Sequence, residues 1–310
     1  MFGSRRAWGW AVPSAAAVAV LGAGAAAGAI VATADLALPP RSAAQLLVDL
    51  RNADVDGLSG TIVQSTDLGL PAVASLTRSA GGAADLAGLV FGTSTIRVWY
   101  AGPDRQRLAL LNTYGETDLI RKGADAWLWN SSDRMSSHLT LPAAQLAAVA
   151  AADPATVAST TGVTEVAGRD AYELVLSPRD PASLIGRVSL AIDAEHHIPL
   201  RIEVYARNAT TPAARLAFQQ ISFVVPDAEQ FVFKPPPGTT TTEGNAHTAL
   251  PVTPSLLGSG WTSVLTTRLP DPDGQRRVFA GSLVSVLITE DGRFYAGALT
   301  PARLAEIAGL

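Results

Sequence analysis

Short turns recur along the chain every 8 to 12 residues or so, and this spacing constrains the fold more than any other feature. The segments within Thr93–Leu141 are rich in β-branched and aromatic residues, and the breaks between them fall at Gly102, Gly115 and Gly123. Strands of this length joined by tight turns form an antiparallel meander. Comparable segments run from 163 to 225, so we predict one large antiparallel sheet.

Helical patterns cluster in two places and do not alternate with the strands. Ser42–Ala53 opens with a Ser-x-x-Gln capping box and carries apolar residues at helical spacing. The segments Ala83–Phe91, Pro142–Ala152 and Pro154–Thr160 are short and rich in apolar residues, mostly alanine, and they too predict helices. Clustered helices beside a run of strands indicate an α+β fold rather than a parallel βαβ sheet.

The N-terminal segment has the pattern of an export signal. Arg5 and Arg6 precede an uncharged apolar run of about 22 residues, and Ala32-Thr33-Ala34 forms a small-x-small cleavage site before Asp35. The run is also long enough to span a bilayer, so an uncleaved anchor is the alternative. Either way, we predict an extracytoplasmic protein, secreted or held at the outer face of the cytoplasmic membrane.

The last part of the chain is predicted to be a separate small α/β module. Pro235–Thr242 joins a proline run to a threonine run, which predicts a linker outside any ladder. Beyond it, Glu290–Gly292 marks a hairpin turn, and Thr300–Ala308 begins with a cap and proline typical of a helix. The predicted units are a signal peptide or anchor at 1–34, a main domain at 35–238, a linker at 239–252 and a module at 253–310.

Composition and motifs exclude several classes of chemistry. The net charge is −4 and the chain has no cysteine, which argues against nucleic-acid binding and excludes thiolate metal sites. There is no G-x-S-x-G or H-E-x-x-H motif. The adjacent pair His196 and His197 lies in a predicted turn, and adjacent residues do not form a preformed chelate. We predict no catalytic residue, no metal site and no cofactor.

Aromatic residues point to a surface that needs covering. Trp127 and Trp129 share one face of a predicted strand because side chains alternate along it. Neighbouring strands carry apolar residues on both faces, with Val98 and Tyr100 on one and Trp99 on the other. A sheet with two apolar faces needs two covers. The residues alone leave open whether the second cover is ordinary core or an apolar ligand.

Several motifs, in order, resemble the LolA-like lipoprotein-carrier proteins of actinobacteria, a family within the superfamily of LolA, LppX and the N-terminal domain of RseB. The resemblance covers about residues 42–238 and extends to the tail. The motifs are Leu58–Thr61, Leu68–Pro71, Arg97–Tyr100, Gly102–Arg107, Gly115–Arg121, Trp127–Trp129, Val166–Leu174, Phe231–Pro236, Gly258–Thr262, Leu283–Leu287 and Asp291–Arg293.

The resemblance implies an unclosed, strongly curved antiparallel sheet, a half-barrel, with a helical lid on its concave side. An apolar cavity between sheet and lid would hold a lipid or lipoprotein acyl chain. The implied function is that of a non-enzymatic extracytoplasmic carrier or sensor. The alternative is an RseB-like regulatory protein that binds a transmembrane anti-sigma factor or another membrane-bound envelope protein.

The resemblance also implies which parts form the site. The lid is expected from the helices at 42–53, 83–91 and 142–160. Apolar strand residues are expected to line the cavity, and Trp127 and Trp129 are expected to face the lid beside Val98 and Leu110. The full set of expected lining residues is Ile62, Val98, Leu110, Trp127, Trp129, Leu174, Leu190 and Val204.

Overall fold

A computed structural model of the chain describes residues 38–70, 92–112, 115–140, 155–245, 255–269 and 274–310. The predicted signal peptide and the predicted helices 83–91 and 142–152 lie outside the described residues. Within the described part, no helix combines the length and apolar character needed to cross a membrane.

Most of the described chain is β-structure. The α-helices among the described residues are α1 (Ala43–Asn52) and α2 (Pro301–Ala308), and short 3-10 helices occupy Ala228–Phe231 and Gly260–Thr262. The strands are β1 Leu58–Thr66, β2 Gly92–Tyr100, β3 Arg105–Asn112, β4 Gly115–Lys122, β5 Asp125–Asn130, β6 Met135–Thr140, β7 Thr156–Val166, β8 Arg169–Pro178, β9 Ile185–Asp193, β10 Pro199–Ala206, β11 Ala214–Ser222, β12 Thr240–Asn245, β13 Ser255–Leu257, β14 Val264–Arg268, β15 Arg277–Ala280, β16 Ser285–Ile288 and β17 Arg293–Gly297.

Twelve strands form one large open sheet, in the order β12-β6-β5-β4-β3-β2-β1-β11-β10-β9-β8-β7. Every neighbouring pair is antiparallel except β12 and β6, which run parallel. Strand β7 approaches β11, although three strands separate them in the sheet order, so this end of the sheet curls strongly. The predicted unclosed, curved antiparallel sheet is confirmed.

Helix α1 covers one end of this sheet. Its capping box forms as predicted, because the Ser42 hydroxyl accepts from the Gln45 backbone N–H and the Gln45 side chain accepts from the Ser42 N–H at 2.8 Å. Leu46 is fully buried in a core with Leu174 and Leu190. Tyr172 ties the chain before the helix to the sheet by donating to the Pro39 carbonyl at 2.8 Å.

Two predictions of local structure are wrong. The segment predicted as the helix 154–160 enters strand β7 at Thr156, where Thr156 and Ala158 are buried on alternate positions. The predicted linker also contains a strand. The last proline of the run precedes Thr240, and the β-branched threonines that follow pair with β6. The Thr241 hydroxyl lies 2.7 Å from the Ser136 hydroxyl.

The small sheet lies within the predicted module, in the order β13-β14-β17-β16-β15. Helix α2 covers it, with Leu304 buried against Leu287 and Tyr295. The sheet also docks on the main sheet. Trp261 and Leu283 belong to the same core as α1, and the Trp261 indole donates to the Thr156 hydroxyl at 2.7 Å. The module's boundaries as an independent unit stay a prediction.

Candidate functional site

One face of the large sheet is continuously apolar across seven strands. Partners in an antiparallel ladder point to the same side, so the register assigns faces directly. It links Leu110 to Ile96 and Ile96 to Ile62. Beyond β1, Ile62 faces Phe218, and the same side continues through β11 to β8. The residues of this apolar face are Leu110, Ile96, Ile62, Phe218, Leu216, Ile202, Leu190 and Leu174, with Val98 and Val204 beside them.

Six of the eight expected lining residues lie on this apolar face. They are Ile62, Val98, Leu110, Leu174, Leu190 and Val204. The strand register places all six on one surface, but they pack in two separate hydrophobic clusters. Leu174, Leu190 and Val204 pack in the core with α1, whereas the other three pack in a second core centred on β1 and β2. That these residues line an acyl-chain cavity stays a prediction.

Trp127 and Trp129 lie on the opposite face, so the prediction that they border Val98 and Leu110 is wrong. Trp129 pairs with Asp118, and Leu128, between the two indoles, pairs with Leu119 on the apolar side. The expectation rested on an unknown register, and a shift of one residue turns every side chain over.

The face that carries the two indoles is largely polar, which corrects the expectation of a sheet apolar on both sides. Arg107 donates to Asp118 at 2.5 Å, and Arg201 donates to Glu173 at 2.7 Å. Trp99 lies under the Arg107 guanidinium, whose carbon is 5.1 Å from the ring centroid. We call this surface the polar face.

The chain after β11 covers part of the polar face. Phe233 stacks on Trp127 with 5.0 Å between ring centroids, and His138 also stacks on Trp127, at 4.0 Å. His138 lies between two carboxylates, 2.7 Å from Glu243 and 3.0 Å from Asp125. The hydrogen bond to Glu243 is the main reason that the pKa of His138 is raised.

The predicted turn that contains His196 and His197 is held in place by hydrogen bonds to a buried aspartate, Asp193. Burial alone would raise the pKa of the Asp193 carboxyl, but hydrogen bonds from Arg169 and from the backbone N–H of His196 hold it below its ordinary value. The His196 ring stacks on Phe223 at 3.6 Å. No group of three or more histidine, aspartate or glutamate side chains in the described ranges has the arrangement to hold a metal ion.

The expected set included Val204 on β10 but missed Ile96 on β2 and the other members of the apolar face on β10 and β11. Ile202, Leu216 and Phe218 occupy it, and alternation within Leu200–Ala206 and Arg215–Val225 was the available signal. The local pattern alone did not say which side of each strand joins Ile62, because that depends on the register.

No protein-family model matches the chain, and no curated protein matches it. Among solved structures, MucB matches with a TM-score of 0.51 and 20% identity, over 85% of this chain and 94% of MucB. The MucA/MucB complex of Pseudomonas aeruginosa gives a TM-score of 0.51 and 18% identity, over 82% of this chain and 91% of that one. This chain shares the fold of MucB.

The resemblance found in the sequence is therefore confirmed at the level of the fold. A LolA superfamily protein from Nitrosomonas europaea also matches, with 12% identity over 63% of this chain and 99% of that one. Its TM-score of 0.26 is too low to carry an argument. The match to MucB extends over most of both chains, which is more than the large sheet alone would provide.

Proposed function

We propose that this protein is a non-enzymatic, extracytoplasmic sensor or carrier that binds a lipid or lipoprotein acyl chain on its apolar face. The observation that carries the proposal is the contrast between the two faces of the large sheet. One is apolar across seven strands, whereas the other carries ion pairs. An acyl chain is complementary to the first and not to the second.

Burial supplies the affinity. Each methylene of an acyl chain removed from water contributes about 0.8 kcal/mol. Ile62, Val98 and Leu110 are only 5%, 7% and 1% exposed, so side chains already cover them. A ligand would therefore have to displace that cover, and the net affinity is the difference between the two burials. Because the ligand would displace side chains of the protein, binding would change the packing of the protein and so act as a signal as well as load a cargo.

A regulatory role is the second candidate, and the docked small sheet favours it. MucB, which shares the fold, is found in complex with MucA. Here the small sheet shares a core with α1 through Trp261 and Leu283. A change in the packing of the core beneath α1 would therefore alter the contacts of the small sheet directly. By analogy, the partner would be a membrane-bound envelope protein, an anti-sigma factor.

Photocrosslinking tests the acyl-chain site. The mature protein is mixed with palmitate that carries a diazirine, irradiated and mapped by peptide mass spectrometry. We expect crosslinks at Ile62, Val98 or Leu110 that excess palmitate suppresses. Crosslinks confined to Trp127 and Trp129, or none, would contradict the proposal.

Two neighbouring leucines provide a matched pair of variants. Leu110 points to the apolar face, whereas Leu111 on the same strand pairs with Glu116 on the polar face. With the fold verified by circular dichroism, Leu110→Ala is expected to weaken palmitate binding and Leu111→Ala to leave it unchanged. For the regulatory role, calorimetry with the extracytoplasmic segment of an anti-sigma factor from the same genome should show binding that palmitate alters.

A further inference from the structure

A cavity of about 330 Å³ lies on the polar face, away from the apolar face proposed to bind acyl chains. Its floor is made by β3, β4 and β5, where Arg107, Asp118 and Trp129 line it. Its other wall is the segment from Glu229 to Pro236, which crosses the sheet here. A volume of this size is at the lower end of the range for small-molecule sites.

Three buried polar atoms of this cavity's lining have no hydrogen-bond partner within the part of the chain that the structure describes. They are Arg107 Nε, Asp118 Oδ1 and Trp129 Nε1. Asp118 is only 4% exposed, and only its other oxygen accepts from Arg107. Buried polar atoms in native proteins are nearly always paired, so three in one cavity indicate a missing partner. That partner must donate once and accept twice.

The charges around the cavity favour a neutral partner. The cations are Arg107 and Lys234, and the anions are Glu116, Asp118 and Glu229. A bound anion would meet three carboxylates, and a bound cation would meet two basic side chains. A carboxylate has no proton to donate to Asp118, and an ammonium group has no lone pair to accept from Arg107 or Trp129, so each would leave buried polar atoms unpaired. A neutral ligand avoids both penalties and still hydrogen-bonds to the ionised groups.

The walls add an apolar surface. Trp129 and Phe233 present aromatic rings, and Ile120 and Val232 lie beside them. Sites for small ligands combine such walls with a few fixed polar groups. The ligand therefore needs an apolar side as well as groups that both donate and accept.

We propose that this cavity binds a neutral polyhydroxyl ring, namely a hexose. Each hydroxyl donates once and accepts twice, so adjacent hydroxyls can donate to Asp118 and accept from Arg107 and Trp129. The C–H side of the ring packs on the aromatic wall. The sugar is either free or the terminal residue of an envelope glycan. Because the cavity is on the polar face, the proposal does not depend on acyl-chain binding.

Saturation-transfer NMR with the mature protein tests the site. The probes are D-glucose, N-acetyl-D-glucosamine and their methyl glycosides. We expect saturable binding by at least one sugar. Binding of the free sugar alone indicates a free ligand, whereas equal binding of its methyl glycoside indicates a sugar attached through the anomeric carbon.

Conservative variants locate the binding. Trp129→Phe keeps an aromatic ring and removes one donor, so binding should weaken about fivefold. Asp118→Asn removes a charged acceptor and should weaken it about tenfold or more. Tyr205→Phe is the matched control, since it also removes one donor and keeps a ring on the polar face, but Tyr205 lies on β10, outside the cavity lining, and this variant should bind as the wild type does.

A deoxy sugar separates a direct contact from a structural effect. The monodeoxy analogues of the bound sugar are compared in turn. One of them, which lacks the hydroxyl that faces Trp129, should bind the wild type more weakly than the parent sugar does, and Trp129→Phe should not weaken its binding further. The proposal is overturned if no sugar binds at 50 mM, if Tyr205→Phe and Trp129→Phe weaken binding equally, or if N-acetyl trialanine amide binds in competition and more tightly than any sugar.

Discussion

The carboxyl of Asp118 should make the stability of this protein depend on pH in an unusual direction. Burial raises its pKa to about 6; the Arg107 guanidinium opposes that shift, and the neighbouring Glu116 carboxylate adds to it. An aspartate in an unfolded chain has a pKa of about 3.9. The folded protein therefore holds this proton more tightly than the unfolded chain. Acidification through pH 6 should stabilise the fold, and this gain is complete below about pH 3.9 and lost as pH rises through 6.

The two pKa values set the magnitude. The whole shift corresponds to about 3 kcal/mol, at about 1.4 kcal/mol for each pH unit between them. Between pH 7 and pH 5 the free energy of unfolding should increase by about 1 kcal/mol from this group alone. Asp193 acts in the opposite sense, since its pKa is lowered, but its contribution is lost only below about pH 3.9.

Urea unfolding of the wild type and Asp118→Asn at pH 7, 6 and 5 isolates the effect. The asparagine keeps the shape of the side chain and binds no proton in this range. The wild-type free energy of unfolding minus that of the variant should increase by about 1 kcal/mol from pH 7 to pH 5. A difference that stays constant, or that decreases towards pH 5, would refute the account of this buried carboxyl.

Three further changes probe other contacts. Trp261→Phe should lower the free energy of unfolding by about 1–2 kcal/mol in urea titrations, because it leaves the buried Thr156 hydroxyl without its indole donor. Gly281→Ala should cost about 1–3 kcal/mol in the same assay, since the new carbon would lie 2.5 Å from the backbone carbonyl oxygen of Leu68, just after β1. Glu243→Gln should lower the pKa of His138 in an NMR titration, and an unchanged titration would show that their hydrogen bond has no effect.

Short sequence patterns were sufficient to predict most of the secondary structure that the structure describes. The capping box at Ser42, the hairpin turn at Glu290–Gly292 and the proline start of α2 all form as the sequence predicts. Each depends on residues a few positions apart, so its physics is contained in a short stretch of sequence. The antiparallel sheet followed from the spacing of the turns, the α+β class from the clustering of the helices, and the half-barrel from the family resemblance.

The errors arose where distant pairing decides the structure. The alanines around Thr156 favour a helix locally, but pairing with β8 makes this stretch a strand. Thr240–Asn245 joins the sheet only because β6 provides a partner about 105 residues earlier. The face of Trp127 and Trp129 was set by the register of β4 and β5, which hydropathy patterns do not encode when both sides carry apolar residues.

The most direct test of the central claim is the lipid content of the native protein. The protein is purified from its own cell envelope without detergent exchange, and its chloroform–methanol extract is quantified by mass spectrometry. We expect about one acyl-chain lipid per protein molecule, and a clear loss in Leu110→Ala but not in Leu111→Ala. An extract free of acyl lipid, together with no uptake when the purified protein is incubated with palmitate or phospholipid, would contradict it.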